Sequence, residues 1–258
     1  TYTGTPLDVL FGLIYLNSKY EISKTSLSND FSENILLNSY YLNEKNRSIN
    51  KQDFINFEII WDGIKIFYPT TLIKIISDFK NSKNYQFLII PIGIELENGA
   101  HSNILIYDKN TNEIERFEPN GSSFPFKFNY DPYNLDLLLK EYFIESFPNC
   151  KYITPSFLPK IGFQVLESYD HYKTKKIGDP GGFCAVWCIW YADMRLKYTM
   201  LSRDKLVKKL IIKIKEENMQ FKTLIRNYAK RIIDLRDEIL IESKIDINDW
   251  LNSNYDLA

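Results

Sequence analysis

The sequence predicts an α+β fold: a central antiparallel sheet packed on one strongly apolar helix, with helical flanks. Three observations carry this. Residues 86–118 read as three consecutive strands joined by tight turns. Residues 184–197 read as a helix apolar on most faces, opened by Gly-Gly-Phe-Cys. Residues 202–217 and 218–241 read as amphipathic helices with basic faces.

The elements follow in order. Residues 5–17 predict a capped helix, with Thr5 as cap, Pro6 in the first turn and Asp8 near the positive end. The polar, Asn/Ser-rich stretch 20–50 predicts helix with loops. Residues 54–61 and 64–67 have strand character, and 69–80 a helical pattern. The run Phe87–Ile94 is continuously apolar, as a strand buried on both faces requires. Asn98-Gly99 turns the chain into a second strand ending at Asp108; Lys109–Asn112 turns it again into Glu113–Glu118, whose faces alternate. Residues 134–147 predict a helix ended by Pro148-Asn149. Tyr152–Thr154 and Ile161–Leu166 read as extended, Lys173–Gly182 as a polar loop, and 242–258 as a polar tail around Trp250. With no repeat or linker, one domain spanning 1–258 is expected: a mainly helical N-terminal segment over 1–85, a core over 86–200 and a helical extension over 201–258.

Composition narrows the function. Of 258 residues, 45% are hydrophobic and 25% charged, ordinary for a globular chain, and the net charge is −1. Neither nucleic acid nor an anionic membrane is favoured as a partner. No apolar run approaches the roughly 20 residues that span a bilayer. Thr1–Pro6 lacks the basic and apolar parts of a signal peptide, so a cytoplasmic location is expected. The three cysteines, Cys150, Cys184 and Cys188, and two histidines, His101 and His171, do not show zinc spacing. No metal or cofactor is expected, and oligomeric state is not readable.

What remains is nucleophilic chemistry. Cys184 stands where a glycine-rich loop becomes a helix. The glycines allow close backbone approach. The helix start offers free N–H groups and positive potential, which favour a thiolate and can stabilise an oxyanion. Cys150 and Cys188 read as buried structural cysteines. A thiol nucleophile needs a base. His101, at the start of a strand, is the candidate; His171, in the polar Ser168–Tyr172 loop, reads as solvated. Glu118 ends the strand after His101, and neighbouring strands lie about 4.8 Å apart, so its carboxylate can reach the ring and orient it. Asn120 is the rival orienter. Glu115 reads as a surface residue. An oxyanion also needs a further donor. Gln164, polar among apolar neighbours, is the candidate, with Asp179 as an alternative that more naturally shapes its own turn.

These residues carry a resemblance. His101, Phe117-Glu118-Pro119-Asn120-Gly121 and Gly182-Phe183-Cys184, in that order, resemble the adenain/Ulp1-like cysteine peptidases. His101-Ser102-Asn103-Ile104-Leu105-Ile106, Arg116-Phe117-Glu118-Pro119 and Gly182-Phe183-Cys184-Ala185-Val186-Trp187 are similar to segments of large-DNA-virus proteins. The resemblance covers roughly 86–200. It implies a papain-like peptidase core with Cys184 as nucleophile, His101 as base and Glu118 as orienter. It also implies cleavage of a peptide or isopeptide bond after glycine in ubiquitin, a ubiquitin-like modifier or a viral polyprotein. A channel walled by Gly181, Gly182, Phe183, Trp187 and Tyr107 would suit a Gly-Gly tail. Two departures stand out. The family's oxyanion glutamine lies close before the cysteine, where this chain has none, and Trp follows the family's histidine where Ser102 stands here. A reading from another class is a binding module that uses the basic helical surface of 202–235; a solvated face is the simpler explanation of those charges, and the binding-module reading leaves Gly-Gly-Phe-Cys unexplained.

Overall fold

The ten-residue strand β4 (Phe87–Leu96) is the axis of the fold. The computed structural model describes residues 6–28, 34–46, 56–97, 99–123, 130–170, 182–246 and 248–249. β4 pairs antiparallel along its whole length with β5 (Gly99–Asp108), and β5 pairs antiparallel with β6 (Glu113–Phe117). This is the expected meander. On the other edge of β4, β1 (Ser23–Thr25) pairs with its start and β2 (Ile59–Trp61) with its end, both parallel. Pro91 falls between those two stretches, where neither β1 nor β2 is in register with it, so its missing N–H costs no ladder bond there. β3 (Ile66–Phe67) extends the sheet beyond β2, and β7 (Lys151–Ile153) pairs parallel with β6.

The centre of the sheet is antiparallel as expected, and the short outer strands add parallel pairs to it. The short outer strands return to it through helices, and such crossovers deliver parallel pairs. In the region before β4, α1 (Pro6–Lys19), α2 (Ile35–Glu44) and α3 (Leu72–Asn81) supply most of the regular structure and alternate with the short strands β1, β2 and β3. After the meander come α4 (Pro132–Ser146), β7 and α5 (Phe163–Tyr169). Then follow α6 (Cys184–Lys197), α7 (Arg203–Glu216) and α8 (Phe221–Glu242). α5 overturns the extended reading of Ile161–Leu166. Over so short an apolar run, periodicity does not separate strand from helix. His171, Asp179, Gly181 and most of the tail around Trp250 lie outside the described residues.

β4 is apolar throughout because both its faces are covered. Phe87 and Ile89 join the core beneath α1, α6 and α8, while Leu88, Ile90, Ile92 and Ile94 join the core beneath α3 and α4. α6 runs through the first of these cores, with Val186, Trp187, Ile189, Tyr191 and Ala192 all buried.

Glu115 corrects another expectation, because it is buried rather than on the surface. It accepts from Tyr191 Oη at 2.7 Å, Arg195 Nε at 2.9 Å and Arg203 Nε at 2.9 Å, and so ties β6 to α6 and α7. Alternation along β6 does put Glu115 opposite Ile114, but α6 covers that side too. Removing one partner of a buried ion pair strands the other charge. Glu115→Ala is expected to destabilise the fold by on the order of 3–5 kcal/mol. Calorimetry should show the melting point falling by roughly 10 °C; an unchanged melting point would mean the cluster contributes nothing.

Candidate active site

β5 places His101, and the turn after β6 places Glu118 beside it. His101 Nε2 lies 2.7 Å from Glu118 Oε1. An ionised carboxylate can only accept, so Nε2 carries the proton and Nδ1 is left for another partner. Cys184 interacts with the same ring: the thiol and the imidazole each move the other toward its charged form. Cys184 is the first residue of α6 and is partly exposed, whereas Cys150 and Cys188 are buried. The three sequence candidates are thus brought together: thiol, imidazole and carboxylate in one line.

Their electrostatics agree with the geometry. Burial alone would push the Cys184 thiol up, but the bond to His101, the imidazolium charge and hydrogen bonds from Ser102 bring it below the ordinary thiol range. Burial works against a charged His101, yet Glu118 and Cys184 raise the ring to about 10. Burial would raise Glu118, but His101 and Arg116 hold it down at about 2. The line therefore favours thiolate–imidazolium–carboxylate over its neutral form. By contrast, burial pushes Cys150 up to about 11 and Cys188 well above a free thiol. Ser102 was not among the expected site residues; that position matches the resembled family's Trp, so the motif directed attention elsewhere.

Asn120 takes a different place from the one expected of an orienter. Its backbone N–H donates to Glu118 Oε1 at 2.9 Å, and its side-chain Nδ2 is 3.4 Å from His101 Nε2. Because Nε2–H donates to Glu118, that nitrogen has no lone pair for Asn120. Asn120 supports the carboxylate rather than replacing it.

Gln164 lies on α5, and its approach to Cys184 is built by the turn after β6. Gly121 has φ +103°, and a methyl group there would meet Gly162 N at 2.5 Å. Both crossing residues must be glycine for Gly162 N to reach Asn120 O at 2.8 Å and Gln164 N to reach Pro119 O at 3.0 Å. The strand end that carries Glu118 is thereby stapled to the helix that carries Gln164. A methyl group on Gly182 would sit 3.0 Å from Gln164 Nε2, so the amide stands against the backbone just before Cys184. Gln164 Oε1 is buried without a hydrogen-bond partner among the described residues. Gln164→Ala is expected to lower turnover on the order of a hundred-fold with little change in melting point, the scale of losing one oxyanion donor. Wild-type turnover would make Gln164 a packing residue.

The proposed channel walls fare differently. Gly182 lies at the site, but Phe183 and Trp187 are buried. Trp187 packs on Phe163 and Trp190, and its Nε1 donates to Glu167 Oε2 at 3.2 Å. Tyr107 is buried against Phe147 in the core beneath α3 and α4. Among the described residues, these three aromatic side chains are packed into apolar cores.

No family model matches the chain. It is 40% identical to an ankyrin repeat protein of Acanthamoeba polyphaga mimivirus, over 98% of this chain and 34% of that protein. The chain thus spans about a third of that relative. Among solved structures, it is similar to the Chlamydia trachomatis effector ChlaDUB1, with TM-score 0.46 and 12% identity over 88% of this chain and 85% of that one. A Chlamydia trachomatis effector bound to ubiquitin gives TM-score 0.44 and 11% identity, covering 91% and 96%. The SUMO protease Ulp1, with its cysteine oxidised to a sulfenic acid, gives 0.35 and 11%, covering 88% and 76%. No described helix is long and apolar enough to cross a membrane, and no described cluster of His, Cys, Asp and Glu could hold a metal.

Proposed function

We propose that this chain is a cysteine peptidase that cleaves the bond after the C-terminal glycine of ubiquitin or a ubiquitin-like modifier. The observation that carries the chemistry is the Cys184–His101–Glu118 line, with its depressed thiol and elevated imidazole. The substrate class rests on the motifs around His101, Glu118 and Cys184, which resemble the adenain/Ulp1-like peptidases.

The mechanism follows from the placement. The Cys184 thiolate attacks the carbonyl carbon of the terminal glycine, and a C–S bond forms as the carbonyl π pair moves to oxygen. The free N–H groups at the start of α6 and the Gln164 amide stabilise that oxyanion. His101 Nδ1–H protonates the leaving amine, the C–N bond breaks, and a thioester remains. His101, now neutral, takes a proton from water, and the hydroxide equivalent hydrolyses the thioester. Glu118 holds the ring and supports its positive form throughout.

The test is a panel of modifiers carrying a C-terminal electrophile: ubiquitin, SUMO and other ubiquitin-like proteins. One adduct of modifier mass, mapped by mass spectrometry to Cys184, is the expected result. If no modifier reacts while iodoacetamide alkylates Cys184 rapidly at neutral pH, the modifier specificity falls and a polyprotein substrate takes its place. If Cys184 reacts no faster than an ordinary thiol, the peptidase reading falls as well.

A further inference from the structure

The motifs His-Ser-Asn and Arg-Phe-Glu contain two polar residues that the mechanism leaves unused, Asn103 and Arg116. Both are buried, and both lie against Glu118. Asn103 sits two residues after His101 on β5, so the two side chains share one face of the sheet. Asn103 Nδ2 donates to Glu118 Oε2 at 2.9 Å and to Ser102 O at 2.9 Å. Its Oδ1 accepts from Arg116 Nη1.

Arg116 is itself held. Its Nε and Nη2 donate to both carboxylate oxygens of Asp136 on α4, at 2.7 and 2.8 Å, and Asp136 also accepts from Tyr152 on β7 at 2.7 Å. A guanidinium has donors only, so the Asn103 amide has one workable orientation: oxygen to Arg116, nitrogen to Glu118. Asp136 balances the arginine charge, and Arg116 stays 4.0 Å from Glu118 Oε2. Arg116 thus sets the direction of the amide without taking the carboxylate away from His101.

We propose that Asn103 is a positioning residue of the active site: fixed by the Arg116–Asp136 pair, it presents its amide N–H to Glu118 and so holds that carboxylate both ionised and aimed at His101. This rests on the peptidase reading. The groups facing Glu118 are His101 on β5, Arg116 on β6, Tyr130 just before α4, the Asn120 backbone, and Cys184 and Cys188 on α6. Asp136 and Tyr152 stand behind Arg116.

Two variants separate positioning from packing. Asn103→Asp keeps the shape and the oxygen for Arg116 but replaces the donor with a second carboxyl. Two carboxylates this close do not both ionise readily, so the pair takes up a proton at higher pH than Glu118 alone. The acid limb of kcat/KM on the modifier substrate is expected to move up by about one unit or more. Asn103→Ser cannot reach Glu118 and adds no charge. It is expected to lower kcat on the order of ten-fold with KM unchanged, and to raise the acid limb by less than the aspartate variant does, because a donor is lost but no second carboxyl is added. A structural residue would lower the melting point and the protein's active fraction but leave the limb in place. Wild-type kcat in the serine variant, together with a superimposable pH profile in the aspartate variant, overturns the proposal; if the aspartate variant does not fold, the serine variant decides alone. The carboxyl 13C resonance of Glu118, followed against pH, needs no turnover. It should show a raised midpoint in Asn103→Asp, and an unmoved midpoint overturns the positioning role. Failure of the wild type to turn over any modifier would instead sink the modifier specificity, an ordinary-thiol reactivity at Cys184 would sink the peptidase reading, and in either case the resonance would still judge Asn103.

Discussion

Cys184→Ala is expected to lower turnover of a modifier substrate on the order of 10^4- to 10^6-fold, the range seen when a catalytic nucleophile is removed. No other group can replace it. Cys188 is one helical turn away and hydrogen-bonds Ser102 O at 3.4 Å, but it is buried and its thiol is pushed well above the free value. It is protonated where Cys184 is a thiolate. The same variant should leave the melting point near the parent's, because Cys184 is partly exposed and the His101 ring can lose its proton once the thiolate is gone. Turnover measured with enough enzyme to detect a 10^5-fold loss checks this. Activity within ten-fold of the parent would move the nucleophile elsewhere.

His101→Ala should cost on the order of 10^2- to 10^4-fold in kcat/KM, the usual weight of a positioned general acid and base. It carries a second signature that a packing defect lacks. In the parent, the reactive thiolate–imidazolium pair exists between the depressed pKa of Cys184 and the pKa of about 10 at His101. Turnover therefore rises as Cys184 deprotonates and falls as pH passes through about 10, where His101 loses the proton that the leaving amine needs. Without the imidazole, burial raises the thiol against only the hydrogen bonds from Ser102. The pH midpoint of iodoacetamide alkylation at Cys184 should move up from its depressed value toward or beyond that of a free cysteine. An unmoved midpoint would mean that His101 does not activate the sulfur. The same shifts predict stability. His101, raised in the folded state, contributes fully below its unfolded pKa, and that contribution is lost as pH rises through about 10; Glu118, lowered, contributes above its unfolded pKa and loses it as pH falls through about 2.

The expectations that held did so for identifiable reasons. The β4–β5–β6 meander was legible because Asn98-Gly99 and Lys109–Asn112 punctuate long apolar runs. The helix starting at Cys184 was legible because glycines precede an unbroken apolar stretch. The errors have reasons too. Ile161–Leu166 read as a strand because six residues are too few to show a helical period. Glu115 read as exposed because alternation along a strand reports the second face but not whether a helix covers it. Trp187 read as a channel wall because sequence proximity to Cys184 says nothing of which side of α6 it occupies. α6 is buried nearly all round, so a position in its sequence does not say which neighbours a side chain meets.

The candidate site was legible from counting and local rules. Two histidines, one glycine-led cysteine and one glutamate at a strand end single out the candidate nucleophile, base and orienter, because each type of side chain has few substitutes for its task. Their working geometry belongs to the tertiary structure. Which ring nitrogen meets the sulfur follows from where Glu118 accepts. The approach of Gln164 follows from Gly121 crossing Gly162, and the aim of Glu118 follows from Asn103 and Arg116. Those contacts join residues far apart along the chain through hydrogen bonds a few ångströms long, and only close packing of sheet and helices brings such groups within that range.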